Sequence, residues 1–184
     1  MHVFTERLLI RRMAPADLQD FLRFNTHPAN LEFQAIVPFT EETGLAYLER
    51  QATFDLDSDD GGWLGLAVEL PHEGRVIGEV GIYLPKQPRT KGDIGWTFHP
   101  DYHGRGYATE AARALLTYAF EGLQLHRVTA GCNTSNTASL RLMERLGMRR
   151  EGHYIQSTLL HGTWRDECSY ALLHEEWQAQ KNQD

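Results

Sequence analysis

The sequence predicts a single α+β domain, residues 1–184, built on a mostly antiparallel sheet. Three observations predict it. Short runs of alternating apolar residues, separated by polar or glycine-containing turns, recur in both halves of the chain, the mark of antiparallel strands. One stretch, Gly106 to Phe120, carries Ala108, Ala111, Ala112, Leu115, Leu116, Ala119 and Phe120 at i, i+3, i+4, i+7, i+8, i+11 and i+12, a helix buried on one broad face. No repeat, linker or low-complexity tract divides the 184 residues, of which 41% are hydrophobic and 23% charged, enough to bury one core.

In chain order, Thr5 to Met13 reads as a first strand, with Leu8 and Ile10 apolar between Arg7 and Arg11. Ala14-Pro15-Ala16-Asp17 opens a helix whose stripe is Leu18, Phe21 and Leu22, and His27-Pro28 closes it. Thr40 N-caps a second helix, with Glu41 and Glu42 in the first turn, where the dipole favours acids, and Leu45 and Leu48 facing inward. Asp55 to Gly62, with four acids and two glycines, is a solvated loop. Strands follow at Trp63 to Leu70 and, past the turn Pro71 to Gly74, at Val76 to Leu84. The latter sets Val76, Gly78, Val80, Ile82 and Leu84 on one face and Ile77, Glu79, Gly81 and Tyr83 on the other. Lys86 to Gly92 is a polar turn and Asp93 to Phe98 a further strand. After the alanine-rich helix come a short strand, His126 to Cys132, and a helix capped by Ser135 or Asn136 and ended by Gly147. A hairpin of Tyr154 to Leu160 and Trp164 to Leu173 around His161-Gly162 closes the chain.

Composition removes several functions. No apolar run approaches the ~20 residues that span a bilayer, and the N-terminus lacks the basic-then-apolar order of a secretory signal, so no membrane partner is expected. Two cysteines, Cys132 and Cys168, make no disulfide framework, so the expected location is the reducing cytoplasm. A net charge of −7, from 18 basic and 25 acidic side chains, argues against a nucleic-acid partner. The charge is segregated: residues 1–102 hold nine basic and sixteen acidic residues, whereas 103–150 hold seven arginines against three glutamates, a net of +4. A basic segment in an acidic chain points to a local anionic ligand, although solvated helix faces account for such arginines equally well.

The informative stretch is His103-Gly104-Arg105-Gly106-Tyr107-Ala108, between a strand and the best helix. The first four N–H groups of a helix lack partners, and here the usual Ser, Thr, Asp or Asn cap is missing. Two glycines let another molecule approach the backbone, and the helix dipole together with Arg105 makes this end attractive to phosphate. A Rossmann fingerprint needs a third glycine where Thr109 stands, and the Gly-Lys-Ser/Thr of a Walker loop is absent. A plain tight turn into a packed helix remains open on spacing alone.

The neighbouring blocks make the pattern specific. Asp93-Ile94-Gly95-Trp96-Thr97-Phe98-His99-Pro100, then His103 to Ala108, then Glu110-Ala111, resemble the acyl-CoA-binding core of the GNAT acetyltransferases. The family signature Gln/Arg-x-x-Gly-x-Gly/Ala falls on His103, Gly106 and Ala108, the histidine being a departure. Asn136-Thr137-Ala138-Ser139-Leu140-Arg141 with Leu146-Gly147-Met148 resembles the family's second CoA-flanking helix. Thr5-Glu6-Arg7-Leu8 and Gly162-Thr163-Trp164-Arg165-Asp166 are similar to its RimJ/RimL-like branch, and the resemblance covers roughly residues 5–177.

The resemblance implies helices on both faces of a mixed sheet splayed between two central parallel strands, by position Asp93–Phe98 and His126–Cys132. Acetyl-CoA is the implied co-substrate, with pantetheine in the gap against backbone groups of Trp96 and Phe98. The N–H groups of Gly104, Arg105, Gly106, Tyr107 and Ala108, in the turn that His103 opens, would hold the diphosphate. Asn136 would meet the pantetheine arm or simply cap its helix, and the two roles are compatible. Arg141 is the candidate for the nucleotide phosphate, or an ordinary surface arginine.

The implied activity is direct N-acetylation of a primary amine, on a protein N-terminus or a small molecule. An antibiotic or polyamine acetyltransferase and a non-catalytic acyl-CoA-binding module are the alternatives. A lysine-like ammonium has a pKa near 10.4, so a carboxylate must help remove its proton. Glu79 is the first candidate, or else an exposed strand carboxylate, with Asp93 and Asp166 as alternatives. Many family members protonate the leaving thiolate with a tyrosine, but Met143 holds that place here, so the role passes to Ser139, which could otherwise be a first-turn serine bonded to backbone. Tyr107 packs rather than catalyses. Cys132 has no basic partner, and no His-Glu-x-x-His or paired cysteines suggest a metal, so no metal is expected. Trp63, Trp164 and Trp177 read as core. In this fold the acidic helix from Thr40 and the Asp55–Asp60 loop would border the acceptor cleft and favour cationic acceptors. The resemblance further implies a homodimer through the last strands.

Overall fold

The computed structural model describes residues 2–56 and 60–182, so part of the predicted acidic loop lies outside the described residues. The chain runs β1 (His2–Phe4), β2 (Leu9–Arg12), α1 (Leu18–Asn25), α2 (Pro28–Leu31), α3 (Glu41–Ala52), β3 (Gly62–Leu70), β4 (Arg75–Leu84) and β5 (Lys91–Phe98). It continues through α4 (Tyr107–Thr117), β6 (Arg127–Asn133), α5 (Thr137–Arg145), β7 (Arg149–Leu160), β8 (Thr163–Leu173) and α6 (His174–Lys181). The eight strands form one sheet in the order β1-β2-β3-β4-β5-β6-β8-β7. Every neighbouring pair is antiparallel except β5 and β6, which run parallel.

Helix α1 brings Phe21 and Phe24 onto the sheet and α3 brings Leu48, forming a smaller core with Met13, Ala67 and Val76. On the larger core, α4 contributes Ala111, Ala112, Leu115 and Leu116 against Leu66, Val80, Ile82 and Ile94. There α5 adds Leu142 and Met143, and Trp177 of α6 stacks on Phe120. With helices on both sides, β4 is buried at almost every residue rather than on alternate ones. Glu79 is therefore only 7% exposed, not the exposed carboxylate its strand position also allowed. Among the described residues no helix is long and apolar enough to cross a membrane.

The structure departs from the predicted elements most in three places. Residues 5–8 are a turn, not part of the first strand, and the chain pairs with β2 through the earlier residues His2–Phe4. The alanine-rich helix changes to a wider π turn at Tyr118–Gly122. The C-terminal helix α6 escapes the sequence because it buries Trp177 and otherwise shows a polar surface. In addition, Trp164, expected in the core, is 56% exposed, and a bulge in β4 sends Val76 to the smaller core while Val80 joins the larger one. Thr40 does cap α3: its hydroxyl accepts from Thr43 N–H at 3.2 Å, and Thr43 answers at Thr40 N–H at 2.9 Å.

Candidate active site

The cleft begins with a failure of strand pairing. Strands β5 and β6 are in register at Lys91↔Arg127, Gly92↔Val128 and Asp93↔Thr129, and then diverge. Beyond that point each continues to Phe98 and Asn133 without the other, and the space between them opens into a cleft of about 1010 Å³. Trp96, Thr97 and Phe98 line one wall and Gly131, Cys132 and Asn133 the other, with the starts of α4 and α5 at the ends. Backbone groups on such separated strands lack a ladder and need partners from elsewhere. His99 N–H bonds to Ile77 C=O at 3.0 Å, so odd-numbered residues of this strand turn their backbone toward β4 and even-numbered ones toward the cleft. Trp96 thus presents its N–H and C=O to the gap. Phe98 offers its N–H only, because its carbonyl already accepts from Asn30 Nδ2 and His103 Nε2, each at 3.0 Å.

That second bond explains the histidine in the glycine turn. A carbonyl can only accept, so Nε2 of His103 carries its proton and ties the turn to the end of β5. Gly104 and Gly106 then adopt φ of +74° and +83°, the left-handed region where glycine carries no penalty. A Cβ built on Gly104 would meet nothing within 4 Å, so the backbone lies open to an approaching group. Gly106 is the N-cap of α4 and supplies no capping side chain. Among the hydrogen bonds of the described residues, none has the N–H of Gly104, Arg105, Gly106, Tyr107 or Ala108 as donor. Gly104, Gly106, Tyr107 and Ala108 line the cleft; the Arg105 side chain lies outside it, 5.7 Å from the Tyr102 ring.

The start of α5 is built differently. Asn136 Oδ1 accepts Ser139 N–H at 3.1 Å, so Asn136 is the cap, while Ser135 bonds to Asn133 instead. Ser139 Oγ accepts the Trp96 indole N–H at 3.2 Å across the cleft, and an indole can only donate. The serine hydroxyl hydrogen is therefore turned away from Trp96 and free to donate.

Glu79 does not line this cleft. Its strand neighbour on β5, Thr97, does, which leaves the carboxyl one side chain behind the wall. Tyr47 O–H donates to Glu79 Oε1 at 2.5 Å and Trp63 Nε1–H reaches the same oxygen at 3.1 Å. Space for the group comes from glycines aligned across three strands, Gly65↔Gly81↔Gly95. A Cβ on Gly65 would collide with Glu79 and Tyr47, and one on Gly81 with the Trp63 indole. Burial pushes the Glu79 carboxyl above its ordinary range, and the bonds from Tyr47 and Trp63 pull it only partly back. Burial and the facing carboxylate likewise raise Tyr47, which stays the proton donor.

The other predicted carboxylates lie elsewhere. Asp93 sits where β5 and β6 still pair, raised by burial and bonded by Thr129 Oγ1 at 2.5 Å. Asp166 accepts from Gln156 N–H and lies 2.9 Å from His153 Nε2, outside the cleft, and these bonds hold it below the usual range. Arg141 is exposed and outside the lining, whereas Arg145, one turn later, lines the cleft and bonds Thr109 Oγ1 at 3.3 Å. Arg113 on α4 joins it. The available signal was spacing: Arg113 follows Gly106 by two helical turns, on the face that opens at the glycine turn. Cys132 lines the cleft, but burial and Cys168 push its thiol up to about 12, which leaves it protonated and a poor nucleophile. Among the described residues no three His, Cys, Asp or Glu side chains gather as a metal site.

Residues 7–149 match the family model described as an acetyltransferase (GNAT) domain. The chain belongs to the GNAT family. Members take the acetyl group from acetyl-CoA, and this chain is an acyltransferase of that type. It is 35% identical over 177 residues to an uncharacterised N-acetyltransferase, YnaD, of Bacillus subtilis, covering 96% of this chain and 99% of that one. A crystal structure of a GNAT-family acetyltransferase from Bacillus anthracis superposes with a TM-score of 0.83 at 32% identity, covering 96% of this chain and all of the other. The [ribosomal protein uS5]-alanine N-acetyltransferase of Escherichia coli is 31% identical over 84 residues, 46% of this chain and 43% of its own length.

Proposed function

We propose that this chain, as one acetyltransferase domain over residues 1–184, holds acetyl-CoA in the β5/β6 cleft and transfers its acetyl group directly to a primary amine, a protein N-terminus in the first instance. The observation that carries the reading is the row of unbonded amides from Gly104 to Ala108 at the positive end of α4. Amides so arranged hold a diphosphate, while Arg113 and Arg145 flank the site for the nucleotide phosphate. Trp96 and the Phe98 N–H offer the polar groups that a pantetheine amide seeks. The fit is one of shape and charge: two left-handed glycines keep side chains off the surface where the diphosphate rests.

In this reading Glu79 takes the amine proton, through a short relay past Thr97, and its elevated affinity for protons suits it to the task. Ser139, with its oxygen held by Trp96, donates to the departing sulfur. The uS5-alanine relative supports an N-terminal acceptor, and Glu6 and Glu32 in the lining favour any cationic amine. A cytoplasmic setting is supported by two free cysteines. A homodimer on the outer strand β7 is supported by exposed Tyr154, Ile155 and Leu159.

Thiol release from acetyl-CoA, measured with alanine-starting peptides, spermidine and an aminoglycoside, tests the reading. The peptides are expected to give the highest kcat/KM; tight CoA binding with no turnover on any acceptor would leave only a binding module. Glu79→Gln is expected to lower kcat about 10²–10⁴-fold, the usual worth of a positioned base. Because the base works only when ionised and its affinity for protons is raised, the wild-type rate should climb with pH above the ordinary glutamate range. That limb should vanish in the variant.

A further inference from the structure

Thr5-Glu6-Arg7 is about a hundred residues from the glycine turn in sequence and in contact with it in space. The turn is closed by Thr5 N–H to Leu8 C=O at 2.9 Å and Leu8 N–H to Thr5 Oγ1 at 3.0 Å. It grips Glu110, in the first turn of α4, with four donors. Thr5 Oγ1 reaches Oε1 at 2.6 Å, Arg7 N–H the same oxygen at 2.8 Å, and Arg7 Nε and Nη2 reach Oε2 at 2.7 and 2.6 Å. The third guanidinium nitrogen, Nη1, donates to the carbonyl of Arg105 at 2.9 Å, inside the glycine turn itself. The guanidinium lies 4.6 Å from the Tyr107 ring centre, and Nη2 comes within 3.3 Å of where a Cβ on Gly106 would stand.

The bond to Arg105 has a geometric consequence. A trans peptide is planar, and its C=O and the following N–H point in opposite directions. The Arg105 carbonyl and the Gly106 N–H belong to one such plane. Fixing the carbonyl on Arg7 therefore fixes the direction of the Gly106 N–H, an amide that has neither a capping side chain nor a bond of its own to hold it. Glu110 is also a cleft-lining carboxylate at the end of the helix where an anion is to bind. Although burial acts against its charge, the bonds from Thr5 and Arg7 keep it ionised, and the guanidinium offsets that charge.

We propose that Arg7 is a positioning residue for the acetyl donor: braced by Glu110, it orients the Arg105–Gly106 peptide toward the diphosphate and cancels the carboxylate beside it. The proposal rests on the reading of the glycine turn as the diphosphate site, and the test separates the two. Steady-state kinetics are measured with acetyl-CoA and with acetyl-pantetheine, which lacks the diphosphate, for wild type, Arg7→Ala, Arg7→Lys and Glu110→Gln. Arg7→Ala is expected to raise KM for acetyl-CoA about tenfold with kcat unchanged, the signature of lost donor binding, and to leave acetyl-pantetheine kinetics as they were. Arg7→Lys keeps the cation but cannot grip Glu110 and Arg105 together, so it should show a smaller rise of the same kind, and it carries the comparison should Arg7→Ala not fold. Glu110→Gln loosens the brace but also removes the carboxylate beside the diphosphate, so its KM for acetyl-CoA should rise less than that of Arg7→Ala, with acetyl-pantetheine again unaffected. Equal changes with both donors, or an unchanged KM for acetyl-CoA, would overturn the proposal. A wild-type enzyme with no preference for acetyl-CoA over acetyl-pantetheine would remove the diphosphate site, and the proposal with it.

Discussion

Two helices aim their N-termini at one cleft and are finished in opposite ways. α5 is closed by its own sequence, with the Asn136 side chain on the Ser139 N–H. α4 starts from a glycine at φ +83° with no side chain over its first amides. The sequence-distant turn at Thr5–Leu8 supports α4 from the side, through Glu110, without covering those amides. A capped helix end is structural and costs nothing to keep. An uncapped one inside a cleft retains its affinity for an anion, and the fold must then hold it in place by other means.

The comparison can be broken by exchanging the two finishes. Gly106→Asn, a residue that tolerates the left-handed region, puts a side chain over the open amides of α4 and against Arg7, whose Nη2 lies 3.3 Å from the added Cβ. It is expected to raise the acetyl-CoA dissociation constant on the order of 10²-fold by calorimetry, about what one or two charge-assisted hydrogen bonds supply. Unchanged affinity would mean that the α4 amides do not hold the donor. Ser139→Ala leaves the α5 cap in place and removes only the hydroxyl that Trp96 orients. Its kcat should fall about tenfold with KM for acetyl-CoA unchanged, and an unaltered rate would free Ser139 from the chemistry. The smallest effect belongs to Asn136→Ala, where denaturant unfolding should show a loss of about 1 kcal/mol, the usual worth of a side-chain cap. If that variant instead abolished donor binding, the two helix ends would not differ as described.

What the sequence made legible follows from where the information is local. The stripe from Ala108 to Phe120, the Thr40 cap and the β4 strand are written in neighbouring residues, and so are the two strands that flank the gap. The Thr5–Leu8 turn reads as strand because Arg7, Leu8, Ile10 and Arg11 alternate as a strand does, while the carboxylate that bends the segment lies on a helix 103 residues further on. Glu79 was found through the resemblance, but its setting was not. Tyr47 arrives from α3 and Trp63 from β3, over glycines whose alignment appears only once three strands are in register. Arg141 and Arg145 differ by one turn of α5, and periodicity alone does not say which of them the helix tilt carries to the cleft.

The three-residue contact between β5 and β6 has a mechanical meaning. Along this seam the sheet is stitched only at one end, and the β1–β5 and β6–β8 lobes are expected to hinge there like the boards of a half-bound book. On the proposed reading, a donor whose amides bridge both boards would sew the open side shut. Amide hydrogen exchange should then slow on both rims of the seam together when coenzyme A is added, including at residues it never touches.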